Sequence, residues 1–141
     1  MNFENSKYSR LHKYQKFSLD SGDLYLTENN LIISELKSGI HVNLDLLVDF
    51  FTHPPFEFKK GQSYGYIANR INSYSFDPNV WADLNSSDHD YLVAAAIVAY
   101  DTTNFINATI EKKFYNKSLK RCSSLDEAIE WMQSLREFNQ S

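Results

Sequence analysis

The spacing of hydrophobic residues changes several times along the chain, and each change predicts a new element. The run 92–100 contains no charged residue and lies between Asp90 and Asp101, which is typical of a strand covered on both faces. Near the start of the chain, three shorter strand-like runs are separated by turn-forming residues, which predicts an antiparallel β-meander. These runs are 14–19, 24–27 and 31–36.

The second run of the meander has the alternation of a strand with two different faces. Leu24 and Leu26 alternate with Tyr25 and Thr27, the period-two pattern of a strand with one packed face and one face in water. The residues before the meander, 1–12, are polar and show no period. We therefore expect a flexible N-terminal arm there.

Two helices are predicted in the middle of the chain, on either side of a strand over 64–71. Asn43 can cap the first, and Pro54-Pro55 ends it. Asp77 caps the second, with Pro78 at its first position. A turn over 72–76 precedes the second helix. The expected buried residues are Leu46, Leu47, Phe50 and Phe51 in the first helix, and Val80, Trp81 and Leu84 in the second.

Two more helices follow the strand over 92–100. The third opens at 101–103, and its residues Phe105, Ile106, Ala108, Ile110 and Phe114 form one apolar face. A short strand over 119–122 leads into a capping box made by Ser124 and Glu127. The apolar stripe of the last helix is Leu125, Ala128, Ile129, Met132 and Leu135.

This element order predicts an α/β fold in one domain. A β-meander followed by three β-α crossovers gives a mixed sheet of about six strands with four main helices, packed mainly on the sheet face away from solvent. We expect the domain to span 13–138, with a tail at 139–141. The length of 141 residues suits one such core.

Composition and charge exclude several classes of function. The net charge of -4 disfavours nucleic acid as a partner, because phosphate binding needs a basic face. The basic cluster Lys112, Lys113, Lys117, Lys120 and Arg121 is interpreted as a solvated helix end. The single Cys122 excludes an internal disulfide and is best explained as a buried small side chain. Without a signal peptide or a long apolar run, we expect a cytoplasmic protein with no integral membrane association.

No residue pattern marks catalysis, a cofactor or a metal. His12, His41, His53 and His89 lack the spacing of zinc ligands, and the four glycines form no phosphate loop. Hydroxyl and carboxyl groups do gather at the predicted carboxyl ends of the strands, where α/β sheets tend to bind ligands. They are Ser73, Ser75, Asp77, Asp101, Thr102, Thr103, Ser123 and Ser124. Asp77, Thr102 and Ser124 are also explained as helix caps.

The chain resembles the STAS-like, SpoIIAA-like proteins of bacteria, especially small flavobacterial ones, over 13–138. The resemblance lies in the element order and in three stretches. The first is Ala95-Ala96-Ile97-Val98, and the second is an aromatic helix from Phe105 to Phe114-Tyr115-Asn116-Lys117. The third is Ser123-Ser124-Leu125-Asp126-Glu127-Ala128-Ile129-Glu130-Trp131-Met132. These are hydrophobic patterns, which bear on fold more than on function.

The resemblance implies a non-catalytic domain that binds a partner kinase or anti-sigma factor and is switched by phosphorylation of a serine. That branch carries Asp-Ser-Ser/Thr-Gly before the second crossover helix, whereas this chain has Asn72-Ser73-Tyr74-Ser75-Phe76-Asp77. We therefore do not carry the phosphorylation site over. A related branch is compared with SEC14-type lipid carriers.

Three hypotheses for function remain. The first is a regulatory or protein-binding module, with a partner surface over 72–84 in which Tyr74 and Phe76 are exposed anchors beside Ser73, Ser75, Asp77 and Trp81. Trp81 is also explained as a core residue of its helix. The second hypothesis is a carrier or sensor of a lipid-like apolar ligand, held in a cavity lined by Phe50, Phe105, Ile110 and Phe114. The third is an enzyme of unrecognised class, with a deep polar pocket.

A weak homodimer is a further expectation, for two reasons. Aromatic residues make up 15% of the chain, and aromatic side chains are enriched in subunit contacts. Short strands in the meander can also leave a sheet edge open for pairing.

Overall fold

The computed structural model describes residues 1–52 and 61–139, which contain eight strands and six helices. The strands are β1 (Tyr14–Leu19), β2 (Gly22–Thr27), β3 (Leu31–Leu36), β4 (His41–Val42), β5 (Tyr64–Arg70), β6 (Ser75–Phe76), β7 (Leu92–Ala99) and β8 (Ser118–Cys122). The helices are α1 (Tyr8–Leu11), α2 (Leu44–Thr52), α3 (Asn79–Asp83), α4 (Thr102–Lys112), α5 (Leu125–Ser134) and α6 (Arg136–Asn139). One-turn 3-10 helices lie at Phe3–Asn5 and Ser87–His89.

Six strands form one mixed sheet in the order β1-β2-β3-β5-β7-β8. The first three are antiparallel neighbours, and β3, β5, β7 and β8 are parallel. This arrangement confirms the predicted α/β class, the meander and the three crossovers. Each crossover moves to the next strand in the same direction, so right-handed connections place α2, α3 and α4 on one face of the sheet.

The face under these crossover helices holds the larger core cluster. Phe50 and Phe51 of α2, Trp81 of α3 and Ala108 of α4 pack there against side chains of β2, β3, β5 and β7. The central strand β7 is buried along almost its whole length, as its uncharged sequence predicts. Asn43 caps α2 by accepting a hydrogen bond from Leu46 N at 2.9 Å. The predicted end of this helix at Pro54-Pro55 lies outside the described residues.

The opposite face of the sheet is also covered, which corrects the expectation that the helices lie mainly on one face. Side chains of α5, among them Ile129 and Met132, pack there with Phe138 of α6. The predicted capping box at the start of α5 is present in its first half: Ser124 Oγ accepts from Glu127 N at 3.1 Å. The Glu127 carboxylate accepts from Ser123 N at 2.8 Å.

The residues before β1 pack on this second face, so the expectation of a flexible N-terminal arm without tertiary contacts is wrong. Phe3 is 0% exposed, and its ring centroid lies 5.1 Å from that of Tyr14 and 4.9 Å from that of Tyr25. The side of β2 that carries Tyr25 and Thr27 is therefore buried instead of facing water. The alternation in β2 reflects two different packed faces.

A two-stranded sheet, absent from the sequence prediction, joins the loops before α2 and α3. His41 pairs with Ser75, and Val42 pairs with Phe76, in a parallel ladder. The residues expected to form only a turn over 72–76 therefore include β6. This pairing fixes the segment before α3 against the loop that follows β3.

We expect Phe3→Ala to lower the free energy of unfolding by about 3 to 5 kcal/mol, because it empties a buried aromatic site. Urea denaturation of the whole chain would measure this loss. Leu11→Ala is the matched control, since Leu11 is exposed in the same segment, and its effect should stay within about 0.5 kcal/mol. Equal small losses for both variants would mean that the segment contributes little stability.

Candidate functional site

The apolar side of α4 faces outward, which reverses the orientation expected from its hydrophobic pattern. Phe105, Ile106, Ile110 and Phe114 are exposed, with Ile106 at 55%. The buried side of the helix instead carries Asn104, Ala108 and Glu111. Glu111 is only 2% exposed. A helix that buries a carboxylate and exposes isoleucine departs from the usual amphipathic arrangement.

The start of α4 is fixed by Asp101. Its carboxylate accepts hydrogen bonds from Asn104 N and Asn104 Nδ2, both at 2.8 Å. Asp101 is thus the N-cap, which corrects the interpretation of Thr102 as the cap; Thr102 is the first residue of the helix. The two hydrogen bonds to Asp101 also hold Asn104 on the buried side of the helix. Glu111 lies two turns further along that side.

Glu111 forms a buried ion pair with Arg70 at the end of β5. Arg70 Nη1 donates to Glu111 Oε2 at 2.7 Å, and Arg70 Nη2 donates to Oε1. Trp81 Nε1 donates to the same Oε1 at 2.9 Å. The carboxylate therefore has three donors, and one strand and two helices meet at it. These hydrogen bonds to the carboxylate help to offset the desolvation cost of a buried pair.

The charges of the pair compensate each other. Burial alone would lower the pKa of Arg70, because the charged form loses water. The hydrogen bonds and the charge of Glu111 outweigh that effect, and the pKa of Arg70 is raised. Two aromatic rings add to this environment, since Arg70 Cζ lies 5.6 Å from the ring centroid of Tyr74 and 5.2 Å from that of Phe76. The guanidinium thus stays charged inside the protein.

A cleft of about 180 Å³ opens beside this pair, between α4 and the segment before α3. Its lining comprises Arg70, Glu111, residues 74–76, Pro78, Asn107 and Ile110. We call it the Arg70 cleft. Its position at the carboxyl end of a parallel strand is the edge where α/β sheets tend to bind ligands.

The predicted surface over 72–84 is only partly a surface. Tyr74 is 8% exposed and belongs to the core cluster, so the expectation that it is an exposed anchor is wrong. Trp81 is 0% exposed and packs α3 on the sheet, which is the alternative explanation of that residue. Phe76 is half-buried and stacks on Trp81 with ring centroids 5.3 Å apart.

The polar residues of the same segment divide between two roles. Ser73 and Ser75 are exposed, whereas Asp77 caps α3 by accepting from Asn79 N at 3.0 Å. Ser75 Oγ lies 2.7 Å from His41 Nδ1, a contact that the register of the small sheet creates. Nucleophilic serine chemistry also needs a group that orients the histidine, and no hydrogen bond from the described residues to the other His41 nitrogen is present.

Asp101, Thr102 and Thr103 lie at a separate place, at the end of β7. Asp101 and Thr102 border an open depression of about 310 Å³ with Ala99, Tyr100 and Phe105, and Thr103 is exposed in the same helical turn. The structure therefore does not gather the predicted binding residues into one site. Tyr74, Ser75 and Phe76 lie at the Arg70 cleft, whereas Asp101 and Thr102 lie at the separate depression at the end of β7.

A second group of buried polar residues lies on the opposite face of the sheet, and one of them, Asn69, is the neighbour of Arg70 in sequence. Glu35 Oε2 accepts from Phe3 N at 2.6 Å and from Asn69 Nδ2 at 2.7 Å. Tyr100 OH donates to Asn69 Oδ1 at 2.6 Å. Burial raises the pKa of Glu35, although both hydrogen bonds act in the other direction. The network ties the chain before β1 to the sheet.

The basic cluster is less solvated than predicted. Lys112 and Lys113 are exposed, but Lys117 Nζ donates to the carbonyl oxygens of Leu84, His89 and Leu92. Burial lowers the pKa of Lys117. The Arg121 guanidinium lies 4.6 Å from the ring centroid of Phe105, so it borders the exposed side of α4.

Cys122 is buried, as predicted, and burial raises its pKa to about 12. The four residues proposed to line a carrier cavity do not share one enclosed space. Phe50 is in the core, whereas Phe105, Ile110 and Phe114 are exposed on α4 or just beyond it. Within 1–52 and 61–139, no group of three or more His, Cys, Asp or Glu residues is placed to hold a metal ion. Nor does a helix of those residues have the length and apolarity to cross a membrane.

Arg70, Asn107 and Glu111 are the cleft residues that the sequence reading missed. A usable signal was present, because Glu111 lies three residues from Ala108 and seven from Asn104, and Arg70 ends an otherwise uncharged strand. One acid and one base at such positions indicate a buried pair between the two elements.

Comparison with known proteins gives one structural likeness. The chain is similar to a crystal structure of an uncharacterized protein of the DUF3478 family with a SpoIIAA-like fold, from Shewanella loihica PV-4. The sequences are 14% identical, 87% of this chain and 96% of that chain are covered, and the TM-score is 0.46. No protein-family model and no curated protein matches the sequence.

We expect Glu111→Ala to lower the free energy of unfolding by about 3 to 5 kcal/mol, because Arg70 would keep a buried charge without a partner. The double variant Arg70→Met with Glu111→Leu removes both charges and should lose clearly less than Glu111→Ala alone. Urea denaturation of both variants tests this expectation. A double variant that loses as much stability as Glu111→Ala, or more, would contradict this expectation.

The pH dependence of stability offers a test of the Glu35 network. Because the pKa of Glu35 is raised by folding, its contribution is fully present below the unfolded-state pKa and is lost as pH rises through the folded-state pKa. Glu35→Gln keeps an acceptor for Phe3 N and Asn69 but does not ionise. The stability of this variant relative to the unmodified chain should therefore increase between about pH 4 and pH 7.

Urea denaturation across this pH range gives the comparison. Glu130→Gln, which makes the same charge change on an exposed side chain, corrects for the effect of net charge. A relative stability of Glu35→Gln that falls with pH would show that the hydrogen bonds, and not burial, dominate at Glu35.

Proposed function

We propose that this chain is a protein-binding module without catalytic activity of its own, and that the exposed side of α4 is its contact surface. The outward orientation of the apolar residues of α4 is the observation that carries the proposal. Ile106 and Ile110 lie one turn apart on α4, Phe105 precedes Ile106, Phe114 follows the end of the helix, and all four are exposed. We call this group, together with Lys112 and Lys113, the α4 surface.

The proposed occupant is an acidic amphipathic segment of another protein. Apolar residues at one-turn spacing suit the apolar side of such a segment. Lys112 and Lys113 lie on the exposed α4 surface, and Arg121 borders it at Phe105. These cations favour a partner with acidic residues beside its apolar ones, because complementary charge directs association and fixes register.

A second copy of the chain fits the α4 surface less well. A symmetric dimer would place the same patch against itself, which brings Lys112 and Lys113 of both copies into one interface. Like charges across an interface cost free energy. An anionic membrane is also disfavoured, because an extended charged surface interacts with the net charge of -4 of the whole chain, whereas a short acidic segment meets mainly the local cations of the α4 surface.

A peptide selection tests the proposal. We expect peptides selected from a random display library on the unmodified chain to combine Asp or Glu with regularly spaced apolar residues. Ile106→Ser should weaken their binding about 10-fold, the effect of an interface residue worth roughly 1.4 kcal/mol. Lys113→Glu should also weaken binding, and this effect should shrink at high salt. Fluorescence titration measures each affinity.

Two controls keep the test specific. Leu11→Ser removes an exposed apolar side chain far from α4 in sequence and should leave affinity unchanged. Ile106→Ser should change the free energy of unfolding by no more than about 0.5 kcal/mol, because the side chain is mostly exposed.

Three results would overturn the proposal. The first is an affinity of the selected peptides that neither Ile106→Ser nor Lys113→Glu changes. The second is binding to phosphatidylserine vesicles that requires Ile106 and Lys113, which would favour a membrane surface. The third is dimerisation in sedimentation experiments that Ile106→Ser abolishes, which would favour a second copy.

A further inference from the structure

Two polar atoms at the Arg70 cleft make no hydrogen bond of normal geometry to the described residues, although the nearby Arg70 guanidinium acts to lower the pKa of the Tyr74 hydroxyl against the larger effect of burial. They are Arg70 Nε and the Tyr74 hydroxyl oxygen, and both are buried. Buried polar groups are paired in the great majority of cases in folded proteins. Two unpaired groups on neighbouring side chains of one cleft therefore indicate a place where an acceptor binds.

We propose that the Arg70 cleft binds one uncharged group that carries a hydrogen-bond acceptor, such as an amide carbonyl, with Arg70 Nε–H and Tyr74 O–H as its donors. Arg70 and Tyr74 lie together, since the guanidinium carbon is 5.6 Å from the centre of the Tyr74 ring. Both side chains line the cleft. One oxygen atom can accept from two donors at once.

The charge balance of the cleft selects an uncharged ligand. Glu111 already binds both terminal nitrogens of Arg70 and has a third donor in Trp81. An anion would have to compete with Glu111 for Arg70, and a cation would meet the guanidinium without an acceptor to hold it. A neutral acceptor satisfies the two open donors without adding a buried charge.

The size and walls of the cleft limit the ligand further. Its volume of about 180 Å³ is smaller than the roughly 300 to 1,000 Å³ of sites for drug-sized molecules. Phe76, Pro78 and Ile110 give it apolar walls. A short branched apolar group with one carbonyl has the matching chemistry.

Two sources could supply that chemistry: a free small molecule, or the side-chain amide of a partner protein. Because the two donor atoms are covered, a side chain of the cleft wall must shift before the acceptor reaches them. Such a site is a minor state that the ligand stabilises. The inference does not rest on the α4 surface: Ile110 belongs to both, but neither Ile106 nor Lys113 lines the cleft.

The first experiment tests the unpaired hydroxyl itself. Tyr74→Phe removes an unsatisfied buried group, so the urea midpoint of the free protein should stay the same or rise. The control is Tyr100→Phe, which removes a hydroxyl that donates to Asn69 and should lower the midpoint. A lower midpoint for Tyr74→Phe would show that its hydroxyl is already paired and would overturn the inference.

The second experiment measures binding with defined probes. Isobutyramide is the neutral probe and isobutyrate is its anionic match. We expect isobutyramide to shift the Arg70 Nε–H resonance in a saturable way and isobutyrate to bind at least about 10-fold more weakly. Tyr74→Phe should weaken isobutyramide binding about 2- to 10-fold, as expected for one neutral hydrogen bond, whereas Tyr100→Phe should leave it unchanged.

A third probe distinguishes the two sources. N-acetylglutamine methylamide carries the side-chain amide of a protein residue, and N-acetylglutamate methylamide is its anionic match. Tighter, Tyr74-dependent binding of the glutamine compound than of isobutyramide assigns the cleft to a partner side chain, and the reverse order assigns it to a small molecule. Absence of a saturable Arg70 shift with either neutral probe, or equal binding by Tyr74→Phe, overturns the inference.

Discussion

A buried ion pair between β5 and α4 decides which residues this protein presents to its surroundings. Removing two charges from water costs several kcal/mol for each ion, and the cost is offset only where the remaining hydrogen-bonding groups are also matched. Glu111 meets that condition, because Arg70 and Trp81 give its carboxylate three donors. With Glu111 inside, the period of the helix leaves Ile106 and Ile110 outside.

The order of elements was predictable because it depends on local spacing. The uncharged run of β7, the caps at Asn43, Asp77 and Ser124, and the turns of the meander are each set by a few neighbouring residues. The orientation of α4 was not predictable, because a rule that places apolar residues inside takes no account of an ion pair with an arginine elsewhere in the chain. Similarly, nothing local marks Phe3 as buried: its site is made by Tyr14 and Tyr25, which come later in the chain.

The candidate site shows the same division between local and distant causes. Sequence reading selected Tyr74, Ser75 and Phe76, and these residues do line a cleft at the predicted edge of the sheet. Their exposure depends on partners far along the chain. Tyr74 is buried because the Arg70 side chain lies against its ring, and Phe76 is half-buried because Trp81 stacks on it. The chemistry of the cleft comes from Arg70 and Glu111, which are 41 residues apart.

The two faces of the sheet are covered by segments from different parts of the chain, so they can close at different times during synthesis. The crossover helices follow the strands they cover, so that face can close as the chain emerges. The other face needs α5, which follows the last strand, together with Tyr8, whose hydroxyl lies 3.4 Å from Glu130 across 122 residues of sequence. Until α5 has been synthesised, Ile67 and Ala96 lack this cover, and the apolar strand surface that they form is exposed to other chains.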